Sequence, residues 1–115
     1  MNDPHRMRVQ KLNDAFRIGL NGTGALLPLD PICVTSGVDA RGSDFVQRAV
    51  KAVRDFDNFT DGNDPYGEHD FGSFEMDGVR MFWKIDYYDL EMEYGSPDPA
   101  DPDLTCRVLY LAEEY

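Results

Sequence analysis

The stretch FEMDGVRMFWKIDYYD, residues 74–89, decides the fold. Phe74 and Met76 lead into Asp77-Gly78, a pair suited to a two-residue hairpin turn because both of its central positions take positive φ. Val79, Met81, Trp83, Ile85 and Tyr87 then alternate with Arg80, Phe82, Lys84, Asp86 and Tyr88. A period of two, with aromatic residues on both faces, predicts a central strand covered on one side by a helix. The alternation runs on, with Leu90, Met92 and Tyr94 expected inward and Asp89, Glu91 and Glu93 outward.

The covering helix is predicted from about Asp44 to Phe56. Ser43 is its expected N-cap and Asp44 suits the positive end of the helix dipole. Phe45, Ala49, Val53 and Phe56 form its apolar stripe, widened by Val46 and Val50. Arg48, Lys51 and Arg54 line the opposite side, with Asp44 four residues ahead of Arg48 in the favourable order. A shorter amphipathic helix is predicted over Val9–Ile18. Val9, Leu12, Phe16 with Ala15, and Leu20 face in; Gln10, Asn13, Asp14 and Arg17 face out. Glycines 19, 22 and 24 end it, with a turn at Asn21-Gly22. Pro31 then precedes a β-branched strand, Ile32–Thr35, closed by Gly37. Residues 57–72 read as a Gly/Asp/Asn-rich loop and Gly95–Asp103 as a rigid, proline-containing loop. Thr105–Leu111 reads as a last strand, with a helix as the alternative for so short an apolar run. The expected architecture is α+β over a single domain, 1–115: an antiparallel sheet of about four strands packed by the Ser43–Phe56 helix. The N-terminal helix joins that face or caps an edge.

Charge is divided unevenly along the chain. Up to Arg54 there are eight Lys/Arg against five Asp/Glu; from Asp55 there are three against seventeen, so +3 and −14 give the net −11. Such a field repels nucleic acid and membrane surfaces and attracts basic proteins or cations. Seven Phe, six Tyr and one Trp argue for a folded domain over an acidic disordered tail. Cys33 and Cys106 have no metal spacing and form no CxxC pair. Each is expected as a small buried hydrophobe, reduced in a cytoplasmic setting, with a disulfide between them left open. The opening MNDPHRMR lacks the apolar core of a secretion signal, and no apolar run approaches membrane-spanning length.

Several stretches are familiar together: LNDAFR (12–17), DFDNFTDGNDPYGEHDFGSFE (55–75), FWKIDYYD (82–89), GSPDPADP (95–102) and RVLYLAEEY (107–115). With NDPYGEHDFG as the most specific run, the chain resembles a family of short bacterial proteins known only as a domain of unknown function. The resemblance implies a setting on plasmids and other mobile DNA, and no activity, cofactor or catalytic residue. Between Gly19 and Pro31 the chain departs from the family pattern.

The loop carrying Asp57, Asp61, Asn63, Asp64, Glu68, His69 and Asp70 has the oxygen donors a hard cation takes. Counted from Asp61, however, Pro65 and Tyr66 stand at the fifth and sixth positions, which breaks the calcium-loop pattern. Asx-turn chemistry explains the same residues; if a metal binds, Asp61, Asp64 and Glu68 are the expected ligands. His69, between two carboxylates, has the chemistry of a general base. No nucleophile elbow accompanies it, so a structural role at a strand start is expected. The G-x-x-G-x-G of residues 19–24 is neither a P-loop nor a dinucleotide fingerprint.

Asp89, Glu91 and Glu93 on one strand face would repeat at about 6.6 Å, broadly like neighbouring phosphates. Asp86, Asp98, Asp101 and Asp103 could extend the row. The expected function is therefore that of a small acidic inhibitor without a cofactor. It would occupy the basic groove of a nucleic-acid-binding protein or complex in restriction or CRISPR defence, as a DNA mimic. Two alternatives remain: a metal-dependent hydrolase using the 61–70 loop, and an antitoxin-like neutraliser of one basic partner.

Overall fold

The computed structural model describes residues 3–20 and 32–113; the expected turn at Asn21-Gly22 and the proline before the first strand lie outside them. The chain runs α1 (Pro4–Ile18), β1 (Ile32–Val34), α2 (Ser36–Asp39), α3 (Ser43–Arg54), β2 (Phe71–Met76), β3 (Val79–Tyr88), a 3₁₀ turn (Pro102–Leu104) and β4 (Cys106–Glu113). The strands form one sheet in the order β1-β4-β3-β2.

The β2–β3 hairpin forms as its sequence dictates. Asp77 and Gly78 both take positive φ, 54° and 75°, and Met76 faces Val79 across the turn. Met81, Trp83 and Ile85 point into the core and are at most 3% exposed. α3 supplies the other wall with Phe45, Val46, Ala49, Val50 and Val53, all buried. On its outer side Arg48 pairs with Asp44 at 3.0 Å and grips the hairpin turn through both carboxylate oxygens of Asp77, at 3.1 and 2.7 Å. The last segment is a strand and pairs antiparallel with β3 from Met81↔Glu113 to Tyr88↔Cys106.

The α+β expectation holds, but the sheet is mixed. β1 lies parallel to β4, Ile32 opposite Leu109, because the chain passes through α2 and α3 before re-entering the sheet. Three β-branched and sulfur-bearing residues carry no directional signal; topology sets their direction. Gly37 does not simply close β1 but sits in α2, whose Val38 is fully buried. Gly42, at φ 98°, occupies the cap position of α3, so Ser43 is its first helical residue and not its N-cap.

α1 begins five residues earlier than its apolar stripe suggests. Asp3 caps it by accepting from the His5 N–H at 2.9 Å, and Pro4 occupies the first turn, where its missing N–H is harmless. Its buried line is Val9, Asn13 and Arg17 at 1, 0 and 4% exposure, which corrects the outward placement of Asn13 and Arg17. Both polar side chains can face in because fixed partners await them, as described below.

The second alternation is not a strand. After Tyr88 the chain reverses: the Asp89 N–H reaches the Tyr94 carbonyl at 2.8 Å, and the Asp89 side chain accepts from the Glu93 N–H at 3.0 Å. Met92 takes a φ of 59°, and Gly95 bridges back to Tyr88. Leu90, Met92 and Tyr94 are therefore exposed, at 56, 49 and 74%. β4 pairing with β3 ends at Tyr88, so an extended chain beyond it would have left its backbone groups unpaired. Cys33 is exposed and Cys106 half-buried, both free thiols; the expected burial of the pair is not seen.

Gly72 faces Trp83 across the hairpin, and a Cβ built there would stand 2.6 Å from the Trp83 Nε1 and 2.8 Å from the Phe56 ring. The indole lies over this glycine and meets Phe56 edge-on at 5.6 Å. Gly72→Ala is expected to cost about 2–3 kcal/mol by overpacking. Gly62→Ala, in a roomier position where the nearest atom is 3.8 Å away, is expected to be near neutral. Urea unfolding of the two variants checks the contrast, and equal midpoints would refute the close packing of Trp83.

Candidate functional site

Two groups of polar residues could carry function: the carboxylates marked by the sequence and a buried cluster under α1. Of the first group, four of seven have internal work. Asp86 pairs with Lys84 at 3.2 Å. Asp89 caps the reversal after β3. Asp98 accepts from the Ala100 N–H and meets the His5 ring at 2.9 Å, which holds its carboxyl below the usual range. Asp101 caps the 3₁₀ turn through the Asp103 N–H. Among the described residues, no hydrogen bond or ion pair engages the carboxylates of Glu91, Glu93 and Asp103, and all three residues are exposed. The structure thus keeps the acidic surface but removes the strand-spaced row, because Asp89, Glu91 and Glu93 lie on a turn.

The loop proposed for a cation does not assemble one. Asp64 is buried and accepts the His69 N–H at 3.1 Å, Glu68 receives the Tyr87 hydroxyl at 3.3 Å, and Asp61 stands in solvent. Among the described residues no group of three or more His, Cys, Asp or Glu side chains could hold a metal ion. The Asx chemistry is present instead: Asn63 accepts from the Thr60 N–H and donates to the Asn58 carbonyl. His69 stands at a φ of 55° just before β2, its ring stacked on Phe59 at 3.8 Å. Its Nδ1 donates to Asp14 at 2.9 Å, while Nε2 lies 3.6 Å from Asp64. Cys33 and Cys106 sit opposite Tyr110 and Tyr88 on the far face of the sheet, so neither thiol serves this imidazole. Its contacts tie α1 to the loop.

The second group escaped the sequence. The Asn13 amide, fully buried, donates to the Glu68 carbonyl at 3.0 Å and the Tyr87 hydroxyl at 2.7 Å. Its oxygen accepts from Arg107 Nε at 2.7 Å. Arg107 also reaches the Pro99 carbonyl and lies over the Tyr87 ring at 5.2 Å. Burial pushes the Tyr87 hydroxyl well above its ordinary pKa and draws Arg107 below its own. One turn along α1, Arg17 donates to the carbonyls of Val53, Arg54 and Phe56, capping the C-terminus of α3 with a positive charge. An i, i+4 line of Val9, Asn13 and Arg17 is the only sequence trace of this arrangement, and polar residues on such a line read as surface.

A family model described as a protein of unknown function (DUF3768) matches residues 34–114, which is most of the chain. The chain belongs to this family. No curated protein and no solved structure matches it. The DUF3768 region contains Glu68, Tyr87, Pro99 and Arg107, while Asn13, which they surround, lies on the helix before it. Among the described residues no helix is long and apolar enough to cross a membrane.

Two outcomes are expected here. Asn13→Ala leaves the Tyr87 hydroxyl, the Arg107 guanidinium and the Glu68 carbonyl without a shared partner, and should cost about 3 kcal/mol in urea unfolding. Gln10→Ala removes one half-buried bond, to the Gly67 carbonyl, and should cost about 1 kcal/mol. Equal losses would refute the central role of the amide. Asp70 provides the second test: burial, then the neighbouring Glu68, raise its carboxyl above the ordinary 3.8. The folded protein therefore binds this proton more tightly than the unfolded chain, so Asp70 lowers stability as pH rises through that window. Asp70→Asn should be more stable than the parent at neutral pH, with the advantage vanishing below the ordinary carboxylate pKa. An advantage that persists unchanged in acid would contradict the assignment.

Proposed function

We propose that this chain is a small acidic binding protein that blocks a basic nucleic-acid-binding partner by occupying its groove. The observation that carries the reading is the −14 formal charge of the segment from Asp55 onward. Glu91, Glu93 and Asp103 give this field accessible contact points, since their carboxylates are not engaged elsewhere among the described residues. A protein that holds nucleic acid does so largely by placing Lys and Arg where phosphates sit. A folded anion can compete for those cations without any DNA to bend. Because Asp89, Glu91 and Glu93 share a turn and not a strand, the competition rests on the summed field and an exposed acidic turn, and not on a phosphate-like repeat. Restriction and CRISPR effectors are the target class, since both depend on such grooves.

The test is capture of the tagged protein's partner from host lysate at low and at high salt. The captured protein is then purified, and a fluorescent DNA duplex bound to it is competed with the acidic chain. Displacement should weaken at least tenfold in the Glu91→Lys, Glu93→Lys, Asp103→Lys triple variant, whose substitutions leave the caps at Asp89, Asp98 and Asp101 intact. Displacement that survives the triple variant would sink the mechanism. Capture of a dedicated basic partner that binds no nucleic acid would favour the neutraliser reading instead.

A further inference from the structure

We infer that the uncovered face of β2 and β3 is a self-association surface on which a second copy of this chain packs face to face. Trp83, Ile85, Leu109 and Leu111 point toward the helices, so the alternate residues of the same strands point away from them. On β2 and β3 these are Phe71, Ser73 and Glu75 against Lys84, Phe82 and Arg80, in register. Phe71 is 38% exposed and stacks on Phe82 with ring centres 6.2 Å apart. Beside them lies a shallow hollow of about 340 Å³, lined by these two rings, Ser73 and Arg80. No helix covers this face among the described residues.

Charge decides which occupant fits. After Arg54 the chain has three cations, Arg80, Lys84 and Arg107, in a segment with seventeen carboxylates. Two of the three, Arg80 and Lys84, lie on this face, where they alternate with Glu75 and Asp86. The patch is therefore locally neutral in a strongly anionic protein. A cationic partner would be drawn to the acidic tips and away from this patch. A second copy, itself carrying −11, can make close contact only where the repulsion is locally cancelled.

The sign pattern is also self-complementary. A two-fold axis lying between the two facing sheets, perpendicular to β3 and level with Ile85, sets Lys84 of one copy against Asp86 of the other, and Phe82 against Tyr88. Such an interface is isologous and closes as a dimer. Lys84 and Asp86 already pair within the chain at 3.2 Å, with side chains 48 and 36% exposed, so both can turn outward to the second copy. Glu91, Glu93 and Asp103 are not on this patch, so dimerisation and the proposed inhibition stand or fall separately.

The experiment is sedimentation of the full chain up to about 500 µM, in about 0.3 M salt to screen the net repulsion. The parent should approach twice its 13.1 kDa mass. Phe82→Glu should weaken the dimer at least tenfold while leaving far-UV circular dichroism unchanged. Lys84→Asp and Asp86→Lys should each be monomeric alone, because each puts like charges face to face. Mixed in equal amounts they should form heterodimers, since every mutated charge then meets its opposite. This rescue cannot arise from the pairing within one chain, and it remains informative if Phe82→Glu fails to fold. A parent that stays at 13.1 kDa throughout overturns the proposal. So does a dimer indifferent to these substitutions, or a pair of monomeric charge variants that fail to associate when mixed.

Discussion

The fold depends on one side-chain amide. Asn13 has two N–H donors and one carbonyl acceptor, and each is used: toward the loop at Glu68, toward β3 at Tyr87 and toward β4 at Arg107. A buried polar group is costly without partners and specifying with them, because only one arrangement of the surrounding elements satisfies it. α1 therefore has a single seat against the sheet. The seat in turn fixes Arg17 over the end of α3, where it donates to three carbonyls of the last turn and the residues after it. Apolar burial alone would let α1 slide or rotate; the amide does not.

This explains which parts of the fold were legible. The hairpin and α3 could be read because the main local signals agree: period, turn chemistry and charge pattern all point one way, and only the cap of α3 falls one residue earlier, at Gly42. On α1 the sequence pattern points the polar side the wrong way, because the rule that sends Asn and Arg to the surface has one exception, a prearranged partner. Apart from Asp14, three residues before Arg17, the partners of Asn13 and Arg17 lie 36 to 94 positions away in the chain. Nothing within a helical window reports them. The start of α1 at Pro4, five residues before the expected Val9, does carry a local signal: Asp3-Pro4 is a cap followed by a first-turn proline, outside the apolar stripe. The alternation at Asp89–Tyr94 misled for a different reason. It has the right period for a strand, but strands need neighbours, and β4 pairing stops at Tyr88.

Five stretches of the sequence converge on the same place. LNDAFR supplies Asn13, Asp14 and Arg17; NDPYGEHDFG supplies Asp64, Glu68 and His69; FWKIDYYD supplies Tyr87; GSPDPADP supplies Pro99; the closing strand supplies Arg107. Their side chains and carbonyls bond to one another across the α1–sheet junction. The residues that look most like an active site are thus joined in one hydrogen-bonded framework. Perturbed titration at Tyr87 and Arg107 follows from burial within that framework, as a structural network also produces it. These stretches lock the fold, and they leave the exposed surface free to carry recognition.

That surface divides by charge in a way burial does not require. Many carboxylates of the acidic half are held in caps and short ion pairs, which orders the loops but leaves the net field unchanged, since a capping Asp keeps its charge. Self-repulsion on this scale lowers stability, and Asp70, raised by burial and by Glu68, shows that the effect reaches into the structure. A chain needing solubility alone could mix its signs freely. Here the cations beyond Arg54 are placed with restraint: Arg107 inside the lock and Arg80 and Lys84 on the sheet face left open by the helices. The tips at Glu91, Glu93 and Asp103 receive none. Neutral face and acidic tip are consequently two different surfaces, suited to two different kinds of contact, and a single substitution can alter either without passing through the buried amide that holds them in place.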